Sequence, residues 1–426
     1  MKILSKACLV AATLFAMPGV QLYAQDRQSQ ANDCEVGIYR KDGTGFVVIT
    51  KRENTFRYSF DNGEVGKIGT PDARVACMSG AVQVNRSDIW KKVPLVQTDT
   101  LINAGSVLLA GRLIEPLDAS KQTPLVVFAH GSEPLGWIDR VRYPYMLAAR
   151  GISVFVYDKR GTGLSQGKYS QNFPQLADDL VAAASEARRL AVGRFGRFGL
   201  IGVSQGGWIA PMAANRAKAD FLGIGYGLAI NMKEEDAAQV QKELRDVGYG
   251  DDVLRKAKRI TDATAKVAST GYREGLGQLA EVQRLYGEEP WFEKVKGGYT
   301  GVLLSKSVDD LRENGIPQYD GLNVDWSHDP MAILRQVKIP QLWVLAEEDR
   351  EAPVAETLDR LRELRENGQE VNIFMFPDTD HGMWEFEQDD NGSRQLTKIA
   401  DGYFRLLADW AEDMLNDPYG RARIVR

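Results

Sequence analysis

The chain has 426 residues, 44% of them hydrophobic and 26% charged, with a formal net charge of −5. That length accommodates one large α/β domain with additions, and the balance is that of a soluble globular enzyme. The acidic surplus, with no run of basic residues to override it, argues against nucleic acid or an anionic membrane as a partner.

Residues 1–24 read as a signal peptide. Lys2 and Lys6 give a short positive region, Ala7 to Met17 an apolar one, Pro18-Gly19 a break, and Leu22-Tyr23-Ala24 a cleavage site before Gln25. The apolar run is too short to span a bilayer comfortably. The expected protein is therefore periplasmic or secreted, with no stable membrane anchor once the segment is removed. Cys8 leaves with it, and Cys34 and Cys77 remain as a pair that an oxidising compartment would join as a disulfide. Neither has histidine or acidic neighbours at metal-binding spacing, so no metal site is read here.

Residues 25–98 carry short alternating runs: Gly37 to Tyr39, Phe46 to Thr50, Thr55 to Phe60, Val75 to Met78 and Ala81 to Val84. Asp42-Gly43 and Asp61-Asn62-Gly63 are hairpin turn signals between them. The expectation is a small β-rich module. From residue 99 the pattern changes to buried apolar runs alternating with helical spacing. Val107 to Ile114 continues an antiparallel edge. Leu125 to Ala129, Ile152 to Tyr157, Phe198 to Val203 and Phe221 to Ile230 read as buried stretches, with helices over Val141 to Arg150 and Phe173 to Leu190. Such alternation implies a mostly parallel, doubly wound sheet over 99–230. Residues 231–330 interrupt it with amphipathic helices, Lys233 to Val247 and Asp251 to Ser269, an aspartate being placed to cap the second. This is read as an inserted helical cap. The alternation resumes over 331–426: a strand Gln341 to Ala346, a helix Val354 to Arg365, a strand Val371 to Phe376, and a final helix from about Ser393 to Leu415.

Chemistry concentrates at Gly202-Val203-Ser204-Gln205-Gly206, where an apolar strand stops and small residues at helical spacing begin. Strand, sharp turn and helix force a serine out of the top of a sheet, and glycines two before and two after leave room for the strained backbone. Ser204 is thus the candidate nucleophile. Gly163-Leu164-Ser165-Gln166-Gly167 has the same spelling, but it follows a polar loop and opens no helix.

A serine hydroxyl needs a base, and the chain has three histidines. His381 follows the last apolar strand, His328 ends the cap, and His130 follows the strand ending at Ala129. With the chain order serine, acid, histidine, His381 is the candidate base, with His328 as the alternative and His130 as a structural loop residue. The acid should lie just past Gln341 to Ala346, where Glu347, Glu348 and Asp349 crowd together. Asp349, at the turn before the next helix, is preferred and Glu348 comes next. The oxyanion donors are expected to be the backbone N–H groups of Gln205, at the start of the elbow helix, and Ser132, in the loop after Ala129.

Taken together, His130-Gly131-Ser132, the loop Tyr157 to Ser165, the elbow at Ser204 and the acid and histidine loops resemble bacterial α/β-hydrolases of the esterase, thioesterase and serine-aminopeptidase-like group. The resemblance covers roughly residues 107–230 and 331–414. It implies the α/β-hydrolase fold and a Ser204, Asp349, His381 triad working through an acyl-enzyme without metal or organic cofactor. It also implies that Asp158 and Arg160 brace their loop. One departure is Glu133-Pro134 after His-Gly-Ser. A carboxylate aimed at the oxyanion would oppose the developing charge, so Glu133 must point away or select a cationic substrate group. The expected activity is hydrolysis of small or medium acyl esters. A peptidase or thioesterase using the same triad on an amide or thioester substrate is the alternative. A noncatalytic binding protein is the remote one, since all triad positions are filled.

Overall fold

The computed structural model describes residues 34–389 and 392–426. The expected signal segment, with Cys8, lies outside them. Among the described residues the strands form sheets of seven, nine and three.

The first sheet is the N-terminal module. Strands β1 (Gly37–Arg40), β2 (Phe46–Arg52), β3 (Thr55–Phe60), β4 (Val65–Lys67), β5 (Val75–Met78), β6 (Ala81–Val84) and β7 (Asp88–Lys92) pair antiparallel in the order β4-β3-β2-β1-β7-β6-β5. Strand periodicity gives it two faces. Tyr39, Val47, Ile49 and Trp90 fill the module's own core, while Ile38, Phe46 and Val48 pack into the core of the larger domain. The module is therefore a docked wall. Arg40 donates to Ala149 O at 2.8 Å, and the N–H of Lys51 to Asp139 O at 2.8 Å. Cys34 and Cys77 are joined by a disulfide.

The nine-stranded sheet carries the rest. Strands β8 (Leu95–Ala104) and β9 (Val107–Pro116) form its antiparallel edge. Strands β10 (Leu125–Ala129), β11 (Ser153–Tyr157), β12 (Phe198–Val203), β13 (Phe221–Gly225), β14 (Gln341–Ala346) and β15 (Val371–Phe376) run parallel in the order β15-β14-β13-β12-β10-β11. Every residue of β10, β11, β12, β13 and β14 is buried, because helices cover both faces. Helices Phe173–Leu190, Gly206–Ala214 and Val354–Glu366 lie on one face; Tyr143–Ala148 and Tyr403–Ala411 lie on the other. Each fully buried Val, Leu, Ile or Phe contributes about 1.5–3 kcal/mol, so these strands set the fold. The chain leaves β10 toward β11 on one side and returns to β12 on the other. That reversal opens a crevice at the carboxyl ends of β10 and β12.

Residues between β13 and β14 form helices Met232–Asp246, Asp251–Ser269 and Leu276–Tyr286 followed by shorter turns, with a core of their own. Asp236 ties the layer together: its carboxylate accepts from the N–H groups of Tyr299 (2.9 Å) and Thr300 (3.0 Å) and from the Thr300 hydroxyl (2.6 Å).

Two expectations fail. Gly250, not an aspartate, occupies the N-cap of helix Asp251–Ser269, and no side chain caps it. Asp251 sits one residue later, where it can act only on the helix dipole. The final helix, Tyr403–Ala411, has 9 residues and is less than half the expected length. Residues 394–399 are instead a strand, β18, pairing with β17 (Trp384–Gln388), which pairs in turn with β16 (Thr379–Asp380). Gly402, left-handed at φ +85°, breaks the chain before helix Tyr403–Ala411 begins. A short strand β19 (Arg423–Ile424) closes the far edge against β15.

Candidate active site

Ser204 sits at the end of β12, one residue past the strand and two before helix Gly206–Ala214, with φ at +52°. A left-handed non-glycine residue costs about 1–2 kcal/mol, and close packing sustains it. A Cβ on Gly202 would lie 2.2 Å from Gly206 O, and one on Gly206 would lie 2.2 Å from Ala129 O. The glycines on either side of the serine are thus demanded by backbone contact, and the hydroxyl is pushed into the crevice.

His381 follows the end of β16. Its Nε2 lies 3.0 Å from Ser204 Oγ, and its Nδ1 lies 3.0 Å and 3.2 Å from the two carboxylate oxygens of Asp349. Asp349 is 1% exposed, and its Oδ1 also accepts from the N–H groups of Glu351 (3.0 Å) and Ala352 (2.7 Å). Burial by itself would depress the His381 pKa. The charge and hydrogen bond of Asp349, then the charges of Glu351 and Glu235, outweigh it and raise the pKa to about 9. Tyr226 holds the imidazole edge-on, with ring centroids 4.9 Å apart, and its own hydroxyl is tied to that of Tyr143 at 2.6 Å.

The competing residues are occupied elsewhere. Glu348 pairs with Lys242 at 3.1 Å, Glu347 with Arg423, and Asp380 with Arg394 at 2.6 Å. His328 packs edge-on against Phe173 and Trp208, and burial lowers its pKa. His130 stacks on Trp137 at 4.3 Å; burial, aided by the Lys159 charge, keeps it neutral. Ser165 donates to Asp158 O at 2.5 Å and accepts from the N–H of Ala110 at 2.9 Å, so its hydroxyl braces β9.

Ser132 and Gln205 both face the crevice beside Ser204. Neither backbone N–H finds an acceptor among the described residues. Glu133, the departure in this loop, accepts from the indole N–H of Trp137 and neighbours the Lys159 ammonium. Burial brings Lys159 down to about 8, with Glu133 opposing the shift, and the ammonium donates to Gly131 O at 2.6 Å.

Two cavities meet at Ser204. One of ≈ 620 Å³ lies under the cap, walled by aromatics such as Trp208, Tyr272, Tyr299 and Trp326, with Glu235, Asp236 and Glu351 as its charged groups. Burial pushes Glu235 up to about 8, the charge of His381 opposing. The other, ≈ 670 Å³, runs between the module and the core and also reaches His381. Apart from His328 as the alternative base, the sequence reading places no residue of the module or cap in the site. Among the described residues no group of three or more His, Cys, Asp or Glu is arranged to hold a metal ion, and no helix is long and apolar enough to cross a membrane.

Residues 126–391 match the profile described as the alpha/beta hydrolase family. Over 65 residues the chain is 38% identical to acylamino-acid-releasing enzyme 2 of rice, Oryza sativa subsp. japonica, a stretch covering 15% of this chain and 8% of that enzyme. Among solved structures, an esterase of Pyrococcus furiosus is 14% identical with a TM-score of 0.41, over 68% of this chain and 85% of that one. The acylaminoacyl peptidase of Pyrococcus horikoshii is likewise 14% identical, with a TM-score of 0.42 over 83% and 53% of the two chains.

Proposed function

The chain belongs to the alpha/beta hydrolase family, and from that premise we propose that it is a serine hydrolase cleaving carboxylic esters of small or medium acyl groups. The observation that carries the reading is the unbroken relay Ser204 Oγ, His381, Asp349, with 3.0 Å at each contact, opening onto two cavities. Ser204 Oγ attacks the ester carbonyl carbon while His381 Nε2 takes its proton. The N–H groups of Ser132 and Gln205 receive the oxyanion. Collapse expels the alcohol, which takes the proton from His381, leaving an acyl group on Ser204. Water then attacks the acyl-enzyme by the same proton path and releases the acid. Asp349 keeps the Nδ1 proton in place and balances the imidazolium.

The 65-residue match to an acylamino-acid-releasing enzyme favours a second reading, cleavage of an acylated amino-terminal residue by the same triad. Export after cleavage before Gln25 is part of the proposal, and intact-mass analysis of the mature protein tests it. The activity is tested by fluorophosphonate labelling with peptide mapping, followed by matched ester, thioester and aminoacyl-amide substrates. Label on Ser204 and fastest turnover of simple esters are expected. Much faster turnover of aminoacyl or acyl-amino-acid amides would overturn the ester reading and leave the serine hydrolase standing.

A further inference from the structure

The cavities that meet at Ser204 are lined by different ionisable groups. Under the cap, the charged lining residues are Glu235, Asp236 and Glu351, with no basic residue among them. Between the module and the core the basic lining residues are Arg52, Arg57, Lys67, Arg140 and Arg142, against Glu133 and Glu351. These arginines come from separate parts of the chain. Arg52 and Arg57 belong to β2 and β3 of the module, and Arg142 immediately precedes helix Tyr143–Ala148 of the core.

Arg57 and Arg142, like Arg52 and Arg140 beside them, are not neutralised, and they stand out because the charge of one bears on the other. No hydrogen bond or ion pair to either side chain occurs among the described residues, whereas most other arginines of the chain hold a carboxylate or a carbonyl. Arg57 Nε is buried without a partner. Arg142 rests its guanidinium on the ring of Trp384, 5.2 Å from the centroid. Burial lowers the Arg142 pKa, with Tyr143 and Tyr226 opposing and the charge of Arg57 adding to the fall. Two like charges brought together and partly stripped of water are a cost to the fold, unless something with negative charge removes it. Of the two carboxylates in the lining, Glu133 already accepts from Trp137 and Glu351 lies 3.6 Å from His381 Nε2. Guanidinium groups bind oxyanions through parallel N–H donors, and a site shielded from water strengthens each bond.

We propose that Arg57 and Arg142 form an oxyanion subsite of the active site, so that the substrate carries a carboxylate or phosphate group and lies with that group in the cleft between module and core. The cavity under the cap, which has carboxyls and no basic residue among its ionisable lining groups, receives the neutral or cationic remainder. The N-terminal module thereby supplies a specificity wall, with Arg57 as its contact. The turnover arm of the test rests on the serine-hydrolase reading; the binding arm does not.

For turnover, para-nitrophenyl hemiglutarate is compared with para-nitrophenyl valerate, placing the anion on the acyl side, and para-butyryloxybenzoate with phenyl butyrate, placing it on the alcohol side. One anionic ester is expected to exceed its neutral partner in kcat/KM, with the advantage shrinking as salt is raised. Arg57→Gln and Arg142→Gln should each cut that ratio by about tenfold or more, the loss of a charged hydrogen bond. Arg142→Gln also disturbs the contact with Trp384, so Arg57→Gln on an unaltered core is the decisive variant. For binding, calorimetry on Ser204→Ala measures glutarate and inorganic phosphate at equal ionic strength. Tighter glutarate assigns a carboxylate and tighter phosphate a phosphate group, and either should be lost with Arg57→Gln. Anionic esters no better than neutral ones, with both ratios untouched by the two variants, overturn the subsite while leaving the hydrolase. Arginine-dependent binding of either anion without turnover of any ester keeps the subsite and removes the hydrolase reading.

Discussion

Asp349→Asn isolates what the buried carboxylate does for His381. The substitution keeps the shape of a side chain that is 1% exposed and can still accept from the N–H groups of Glu351 and Ala352. What it removes is the negative charge 3.0 Å from His381 Nδ1. That charge and its hydrogen bond are the main influences raising the His381 pKa to about 9 against burial. Without them burial dominates, and the pKa should fall to the ordinary histidine value of about 6.5 or below. A drop of that size corresponds to about 3 kcal/mol of imidazolium stabilisation, at roughly 1.4 kcal/mol per pKa unit. The same charge supports the imidazolium that forms when Ser204 is deprotonated. An amide N–H facing Nδ1 also favours the wrong tautomer, so kcat should fall by on the order of 10³–10⁴. The assay is an NMR titration of the His381 ring beside ester kinetics at matched pH. A His381 pKa that stays near 9, or a kcat within about tenfold of the parent, would refute the assignment of Asp349 as the acid and return attention to Glu348.

In the parent protein, kcat/KM should rise with pH up to about 9 as His381 loses its proton, read from a pH–rate profile on a neutral ester. Stability should move the other way. A histidine pKa raised above its unfolded value stabilises fully below about pH 6.5, and that contribution is lost as pH climbs through about 9. Glu235, pushed up to about 8 by burial, acts in the same direction, so Tm should decline between about pH 6.5 and 9. Ser204→Ala should abolish fluorophosphonate labelling. Ser165→Ala should keep the label while costing about 1 kcal/mol per lost hydrogen bond in a denaturant melt. Gly206→Ala drives a Cβ to 2.2 Å from the Ala129 carbonyl and should destabilise by about 1–3 kcal/mol, seen in a denaturant melt, with loss of activity. Replacing Cys34 and Cys77 by serine removes a link across 43 residues and should cost up to about 4 kcal/mol on chain entropy, seen as a lower Tm of the module.

The parallel strands were legible because each is a continuous apolar run ended by a glycine, a polar cluster or a proline. The strands Phe198–Val203, Gln341–Ala346 and Val371–Phe376 have the bounds expected of them. Ser204, Asp349 and His381 could be read as neighbours for the same reason, since each follows the carboxyl end of such a strand or of its short extension. The hairpin over 384–399 was not legible. Leu396 is 49% exposed, so β18 has only Ile399 as a fully buried apolar residue, and that residue also fits the helical spacing of Phe404, Leu407 and Trp410. The arginine cleft was invisible for a different reason. Arg57 and Arg142 become neighbours only when the module docks through Ile38, Phe46 and Val48, and one face of alternation does not say what it will dock against.

The loop Asp158-Lys159-Arg160 shows how three adjacent charges can preorganise a reaction they do not join. Each is buried, and each turns to a different partner. Asp158 accepts from the N–H groups of Trp137 (2.6 Å), Ile138 (3.1 Å) and Leu164 (2.9 Å), which fixes the chain on the far side of Glu133. Lys159 donates to Gly131 O, fixing the residue before Ser132, so the peptide proposed to present its N–H to the oxyanion is clamped from both directions. Arg160 anchors the loop by a two-pronged pair with Asp179 at 2.7 Å and 2.5 Å. Breaking such a buried pair costs about 3–5 kcal/mol, whereas losing one preorganised oxyanion donor costs about 3–4 kcal/mol in the transition state alone. Asp179→Asn should therefore appear first as lost stability. Lys159→Met leaves the Arg160 anchor intact and should appear mainly as a lower kcat with little change in KM, because the Gly131 carbonyl is freed to turn. If Lys159→Met raised KM and left kcat alone, the clamp would be a binding feature and the oxyanion role of Ser132 would fall.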